Sequence, residues 1–276
     1  MTHSTRSIGW QDVLGRGDAL IGMVHVGALP GTPRAELPVA AIAERAAAEA
    51  TIIAEAGFDA MIIENMHDAP YVHGDRLGPE ITAAMTAAAG AVARAIDIPL
   101  GVQILSGGNR HAMAAAASVG GAFIRCENFV FSHVADEGLL AEAEAGPLLR
   151  YRKQIGAERI GVFCDIKKKH ASHAITADVP IEAAAEAAAF FGADALIVTG
   201  ESTGRPTDPG DVERAAAATP LPVLVGSGVT PESVPRLLGP AAALIVGSAI
   251  KKDGTWSSPV SAAACEAIVA ARDSLR

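Results

Sequence analysis

Apolar and polar positions follow one another along this chain in a long period. A run of three to six apolar residues is followed by an Ala- and Glu-rich stretch with helical spacing, and the unit recurs eight times. The apolar runs lie at 20–24, 60–63, 100–105, 122–124, 160–163, 195–198, 223–225 and 243–246, and each predicts a short buried strand. Helical stretches lie at 39–56, 81–95, 111–119, 139–155, 181–191 and 211–217, with shorter ones at 232–238 and 262–275. Regular strand and helix alternation predicts a parallel sheet covered by helices.

The two kinds of connection differ. Gly57, Gly120, Gly156, Gly192 and Gly239 directly follow helical runs, where a left-handed residue closes a helix, and the next strand starts within a few residues. The opposite connections, 25–38, 64–79, 125–138 and 165–180, are long and polar. Unusual polar residues therefore collect at the carboxyl ends of the strands, where both closed barrels and doubly wound sheets place their sites. The last two strands end alike, in Gly226-Ser227-Gly228 and Gly247-Ser248. Glycine there admits an anion close to backbone N–H groups, and a helix starting just beyond would add its positive end. The plain alternative is a pair of tight turns with helix caps. A phosphate site after the last two strands is a feature of (β/α)₈ barrels, so the pattern predicts an α/β fold with a single TIM barrel over 1–276. Residues 1–18 form an N-terminal extension expected on or below the barrel.

Composition narrows the function classes. Half of the 276 residues are hydrophobic and 4% are aromatic, so the core is built from small aliphatic side chains. Helices of that kind are compatible with packing into a homo-oligomer. A formal charge of −9 opposes nonspecific binding to nucleic acid or anionic lipid, and any anion must be held locally. Cys126, Cys164 and Cys265 are odd in number and lack a metal-type spacing, which predicts reduced, buried thiols. No apolar run reaches the roughly 18 residues that span a bilayer, and the first ten residues lack a secretory apolar core. A cytoplasmic location without membrane insertion is the expectation.

Candidate chemistry lies in the polar loops. Asp165 ends the fifth strand, Lys167 and Lys169 share its parity, and His170 follows. A carboxylate beside amines makes an acid–base pair, a buried lysine makes a Schiff-base amine, and a surface ion-pair loop is the plain alternative. Glu64 and Asn65 end the second strand as substrate-facing groups, with His67 and Asp68 close behind. Glu64, His67 and Asp68 around a divalent cation is the subordinate reading, and no cofactor is otherwise expected. His25 closes the first strand as an acid–base group or a hydrogen-bonded rim residue. Gln103, Asn109 and Arg125 are placed at the substrate, with an internal pair of Arg125 and Glu64 or Glu127 as the alternative. Thr199 opens a small-residue turn running to Gly204 that would extend the anion cup. Lys251 is either a point charge for the anion or a solvated lysine.

Taken together these blocks resemble the BtpA/SgcQ family over nearly the whole chain. The resemblance rests on Leu20-Ile21-Gly22-Met23-Val24-His25 with Leu29-Pro30-Gly31-Thr32-Pro33, on Gly57-Phe58-Asp59-Ala60 through Glu64-Asn65 and Asp68-Ala69-Pro70, and on Gly78-Pro79-Glu80. It continues in Leu148-Leu149-Arg150-Tyr151-Arg152, Asp165, Lys169-His170-Ala171, Thr199-Gly200 with Thr203-Gly204, and both Gly-Ser turns. Two stretches depart from the family pattern, Gln103 to Arg110 and Cys126-Glu127-Asn128. Both lie across the site from the Gly-Ser turns, which places the choice of substrate there.

The resemblance implies a TIM barrel of the ribulose-phosphate-binding type, in a family associated with photosystem I accumulation in phototrophs and with sugar utilisation elsewhere. The expected function is an enzyme acting on a small phosphorylated sugar or related anionic metabolite by proton transfer, as an isomerase or lyase. Gly226, Ser227, Gly228, Gly247 and Ser248 hold phosphate, His25, Glu64, Asp165 and Lys169 carry the chemistry, and Asn65, Gln103, Asn109, Arg125, His170 and Thr199 bind substrate. The alternatives are a non-catalytic photosystem-assembly or regulatory factor that keeps the barrel, and a nucleosidase-like hydrolase of a ribosyl compound.

Overall fold

A computed structural model describes residues 9–200 and 206–276. Its strands, in chain order, are β1 (Ala19–His25), β2 (Ala60–Glu64), β3 (Leu100–Gln103), β4 (Phe123–Cys126), β5 (His133–Ala135), β6 (Gly138–Leu140), β7 (Gly161–Ile166), β8 (Ala171–Ser172), β9 (Ala195–Val198), β10 (Val223–Val225) and β11 (Ala243–Val246). The helices are α1 (Trp10–Leu14), α2 (Val39–Glu55), α3 (Pro79–Ala95), α4 (Asn109–Val119), α5 (Ala145–Gln154), α6 (Ile181–Phe190), α7 (Pro209–Ala218), α8 (Val234–Leu237) and α9 (Ala262–Asp273). Eight strands close into a parallel barrel in the order β1-β11-β10-β9-β7-β4-β3-β2, as the alternation predicts.

Strand parity divides the core in two. One set of residues, such as Leu20, Val24, Met61 and Ile63, packs outward against the helices. The other set, including Ile21, Met23, Ile62, Phe123, Phe163, Ile197, Leu224 and Ile245, fills the barrel. The lower end is plugged by α1, whose Val13 and Leu14 join the inner set, and by Trp10 set edge-on to Phe163 at 5.7 Å. Phe123 and Phe163 stack at 4.4 Å, and Gly101 is required beside them because a Cβ would lie 2.3 Å from the Phe123 ring. Small neighbours thus make room for the few aromatics inside the barrel.

The structure departs from the sequence pattern in two places. The stretch 139–155 is not helical throughout: Gly138, at φ 115°, turns the chain into an antiparallel β5–β6 hairpin, and α5 starts only at Ala145. With β8 this hairpin forms a three-stranded sheet, β6-β5-β8, separate from the barrel. Gly57, Gly120, Gly156 and Gly192 have the expected positive φ, but Gly239 does not. The one-turn α8 ends through Leu238 in a right-handed conformation, so no left-handed residue is needed there.

Candidate functional site

Continuing the inward parity by one residue at the upper end of each barrel strand gives a ring: His25, Glu64, Gln103, Arg125, Asp165, Thr199, Gly226 and Gly247. The ring brings most of the expected residues together. Above it lie two cavities with Glu64, Met66 and Lys169 in common. One, of about 180 Å³, is walled by the Gly226-Ser227-Gly228 and Gly247-Ser248 turns with His25. The other, of about 240 Å³, reaches from Glu64 to Gln103, Glu127 and the β5–β6 turn.

The two Gly-Ser turns line one cavity, but the helices that follow them are shorter than expected. Only the single-turn α8 follows β10, and a 3₁₀ turn, Ser248–Ile250, follows β11. The turns are held from the side: Gly200 N donates to Ser227 Oγ at 2.7 Å, and Thr207 Oγ1 donates to Ser227 O at 3.1 Å. Gly228 sits at φ 68°. Gly226 is glycine for packing, since a Cβ would meet Ile197 at 2.5 Å, whereas a Cβ on Gly247 would lie 3.6 Å from His25 Nε2. Of the Thr199–Gly204 turn, Glu201 to Gly204 lie outside the described residues. Thr199 Oγ1 accepts the Lys169 backbone N–H at 2.9 Å and so fixes the lysine loop.

Lys251 is neither an anion contact nor a solvated side chain. It is buried, donates to Met23 O at 3.0 Å and pairs with Glu49 at 3.1 Å, and Glu49 in turn accepts the Val260 N–H. Asn65 and Asn109, expected at the substrate, are braces. Asn65 exchanges two hydrogen bonds with the Leu105 backbone and donates to Asp68, and Asn109 exchanges two with the Glu127 backbone. Their polar atoms hold loops in place instead of facing a cavity. Asp68 also accepts the Leu29 N–H at 2.7 Å, and His67 packs on Trp256. Glu64, His67 and Asp68 are therefore not gathered as a ligand set, and no group of three His, Cys, Asp or Glu residues converges for a metal among the described residues.

Arg125 does form an internal pair, but with Asp165 and not with Glu64 or Glu127. Its Nε and Nη2 reach both Asp165 oxygens at 3.0–3.2 Å, in the fork geometry that suits a carboxylate. Burial opposes the charge on Arg125, and Asp165 with Glu64 outweighs it, so its pKa is raised. Glu127, one of the alternative partners for Arg125 and part of the stretch that departs from the family pattern, takes Lys168 at 3.0 Å and the Gly107 N–H at 2.8 Å. Lys168 escaped the parity reading because Lys167 lies at φ 47°, which interrupts strand alternation and turns both Lys168 and Lys169 toward the cavity. Trp256, Tyr71, Asp136 and Glu137 also line it, brought from distant loops without a local sequence signal.

Burial sets the proton affinities. It raises the Glu64 pKa, against the opposing charges of Arg125 and Lys169. It lowers that of Lys169, and Arg125 lowers it further. His25 is held at about 3 by burial and then by the Lys251 charge, with Nδ1–H donating to Trp256 O at 2.7 Å and Nε2 turned toward Glu64 at 3.9 Å. The folded ring stays neutral while the unfolded chain binds a proton below its ordinary 6.5. The corresponding stability is thus present above pH 6.5 and is lost as pH falls toward 3, roughly 5 kcal/mol over the full interval. His25→Asn, which keeps a donor for Trp256 O, is expected to narrow the pH 7 to pH 4 difference in unfolding free energy by about 3 kcal/mol in urea titrations. An unchanged difference would assign the acid sensitivity elsewhere.

The sequence profile of the BtpA family matches residues 16–274. The chain belongs to the BtpA family. An uncharacterised mitochondrial protein of Caenorhabditis elegans is 43% identical over 244 residues, covering 87% of each chain. Photosystem I biogenesis protein BtpA of Synechocystis is 33% identical over 242 residues, covering 87% of this chain and 83% of that one. Among solved structures, the (S)-3-O-geranylgeranylglyceryl phosphate synthase of Thermoplasma acidophilum, in complex with sn-glycerol-1-phosphate, superposes with a TM-score of 0.63 at 17% identity. The superposition covers 97% of this chain and 99% of that one, a likeness of fold. No helix among the described residues of this BtpA family chain is long and apolar enough to cross a membrane.

Proposed function

We propose that this BtpA family barrel is an enzyme that anchors a small phosphorylated sugar or sugar-derived metabolite by its phosphate and moves a proton at the adjoining carbon, as an isomerase or lyase. The observation that carries this reading is the junction of the two cavities at Glu64 and Lys169. One group is an acid pushed up by burial and the other a base pushed down, so their proton affinities are drawn toward each other, which eases the passage of a proton between them and a bound ligand. Phosphate in the Gly226–Gly228 and Gly247–Ser248 cup would set the sugar carbons over that junction. Glu64 then gives or takes the proton, and Lys169 stabilises the oxyanion that develops beside it. Neutral His25 hydrogen-bonds the bound oxygen through Nε2 when that oxygen carries a proton. The glycerol phosphate complex of the structural neighbour is in keeping with the cup.

The test has two parts. Phosphorus NMR titration should detect inorganic phosphate binding, weakened about fivefold or more by Gly247→Ala, whose methyl enters the cup beside His25. Incubation with aldose and ketose phosphates in D₂O should then exchange a carbon-bound proton, a signal lost in Glu64→Gln. Phosphate that does not bind, or exchange that survives Glu64→Gln, would defeat the reading. The name of the Synechocystis relative favours a second reading, an assembly or regulatory factor whose cup holds an effector. Ligand binding with no proton exchange for any phosphate offered would favour it.

A further inference from the structure

The cup accounts for one end of a ligand, and the opposite side of the mouth is built differently. In the barrel order β10 stands across from β3 and β11 across from β4, so a ligand anchored at the Gly-Ser turns extends toward Gln103 and Glu127. Gln103 is 2% exposed, lines the larger of these two cavities, and its Oε1 has no hydrogen-bond partner among the described residues. A buried carbonyl oxygen left unpaired is destabilising, a penalty that a ligand donor at this position removes.

The charges around Gln103 point the same way. Of the cations lining this cavity, Arg125 is engaged by Asp165 and Lys168 by Glu127 at 3.0 Å, with Glu137 a further 3.9 Å contact of Lys168, while Lys169 stands at the junction with the cup. Lys168 and the Gly107 N–H hold the Glu127 pKa below its ordinary value against burial, so this carboxylate is ionised. Ser106 Oγ donates its one proton to Glu137, with Glu127 Oε2 a longer contact at 3.4 Å, and the Gln103 oxygen with the Asp136, Glu137 and Glu127 carboxyls makes this side of the cavity rich in acceptors. Tyr71 and Trp256 supply flat apolar surface beside it. A second phosphate would be repelled here, while hydroxyl or amino groups would find acceptors.

Resting on the phosphate reading of the cup, we propose that the substrate is a monophosphate whose far end carries hydrogen-bond donors, hydroxyl or amino, recognised by Gln103 Oε1 within the acidic wall. Gln103 is then a specificity-determining residue and a bisphosphate is excluded. Isothermal titration with inorganic phosphate, ribose 5-phosphate, fructose 6-phosphate, glucosamine 6-phosphate and fructose 1,6-bisphosphate tests this on the full chain. At least one monophosphate should bind tenfold or more tighter than inorganic phosphate, and the bisphosphate should bind more weakly than fructose 6-phosphate. Gln103→Leu should remove most of the monophosphate advantage without altering the affinity for inorganic phosphate, and Gln103→Glu, which keeps an acceptor, should preserve it. Tighter bisphosphate binding, no monophosphate better than phosphate, or a Gln103→Leu protein with an unchanged ratio would overturn this inference and leave the cup standing. Failure of every phosphate compound to bind would overturn the cup and this inference together.

Discussion

Glu64→Gln is expected to lower turnover of a phosphorylated substrate by about 10²- to 10⁴-fold with little change in stability. Glu64 ends β2 in the inward ring, and it belongs to both cavities, so a ligand held in the cup must pass over it. Burial raises its pKa, which favours the neutral acid that a proton donor requires. Glutamine has nearly the same shape and no transferable carboxyl proton, so packing around Met66 and Gln103 is kept while acid–base function is removed. The result should appear in turnover and leave phosphate affinity and the melting temperature nearly unchanged. A variant that loses phosphate binding to the same degree as turnover would make Glu64 a binding group and move the acid–base role to another residue of the ring.

Arg125→Met should be the most damaging single change to stability, by about 3–5 kcal/mol, which lowers the melting temperature by roughly 10 °C in a chain of this size. The substitution removes three contacts at 3.0–3.2 Å and leaves Asp165 buried without its guanidinium partner. The penalty comes from the stranded carboxylate more than from the lost attraction, so Arg125→Met with Asp165→Leu should recover a large part of it. Arg125→Lys cannot reproduce the fork and should fall between the two. Thermal and urea unfolding of the four proteins decide the matter. A double variant no more stable than Arg125→Met would show that the guanidinium contributes through packing, for instance against Gly226, where a Cβ would lie 3.3 Å from Nη2.

Much of the architecture is legible in the sequence. Eight apolar runs became the eight barrel strands, and residues one step beyond their inward positions became the ring, because a strand reports its faces through a period of two. The paired Gly-Ser turns do wall one cavity, and His25, Glu64, Gln103, Arg125 and Asp165 do meet at the mouth. Of the hairpin at 133–140, the sequence pattern puts 133–138 in a polar loop and 139–140 at the start of a helix, because Leu139 and Leu140 match a helical spacing as well as a strand. Only Gly138 in a positive-φ turn separates the two.

By itself, then, the sequence determined the repeat, the closed sheet and the face on which chemistry collects, since all three follow from local periodicity and turn chemistry. Tertiary structure alone decided the partners. Arg125 met Asp165 because β4 and β7 are neighbours in the barrel, although 34 residues of hairpin and helix separate the two strands in sequence. Asn65 and Asn109 became braces because other loops brought backbone groups to them, and Lys168 turned inward because one left-handed residue before it broke the alternation. Parity tells which side of a strand a side chain leaves. Register and loop conformation tell what it meets there.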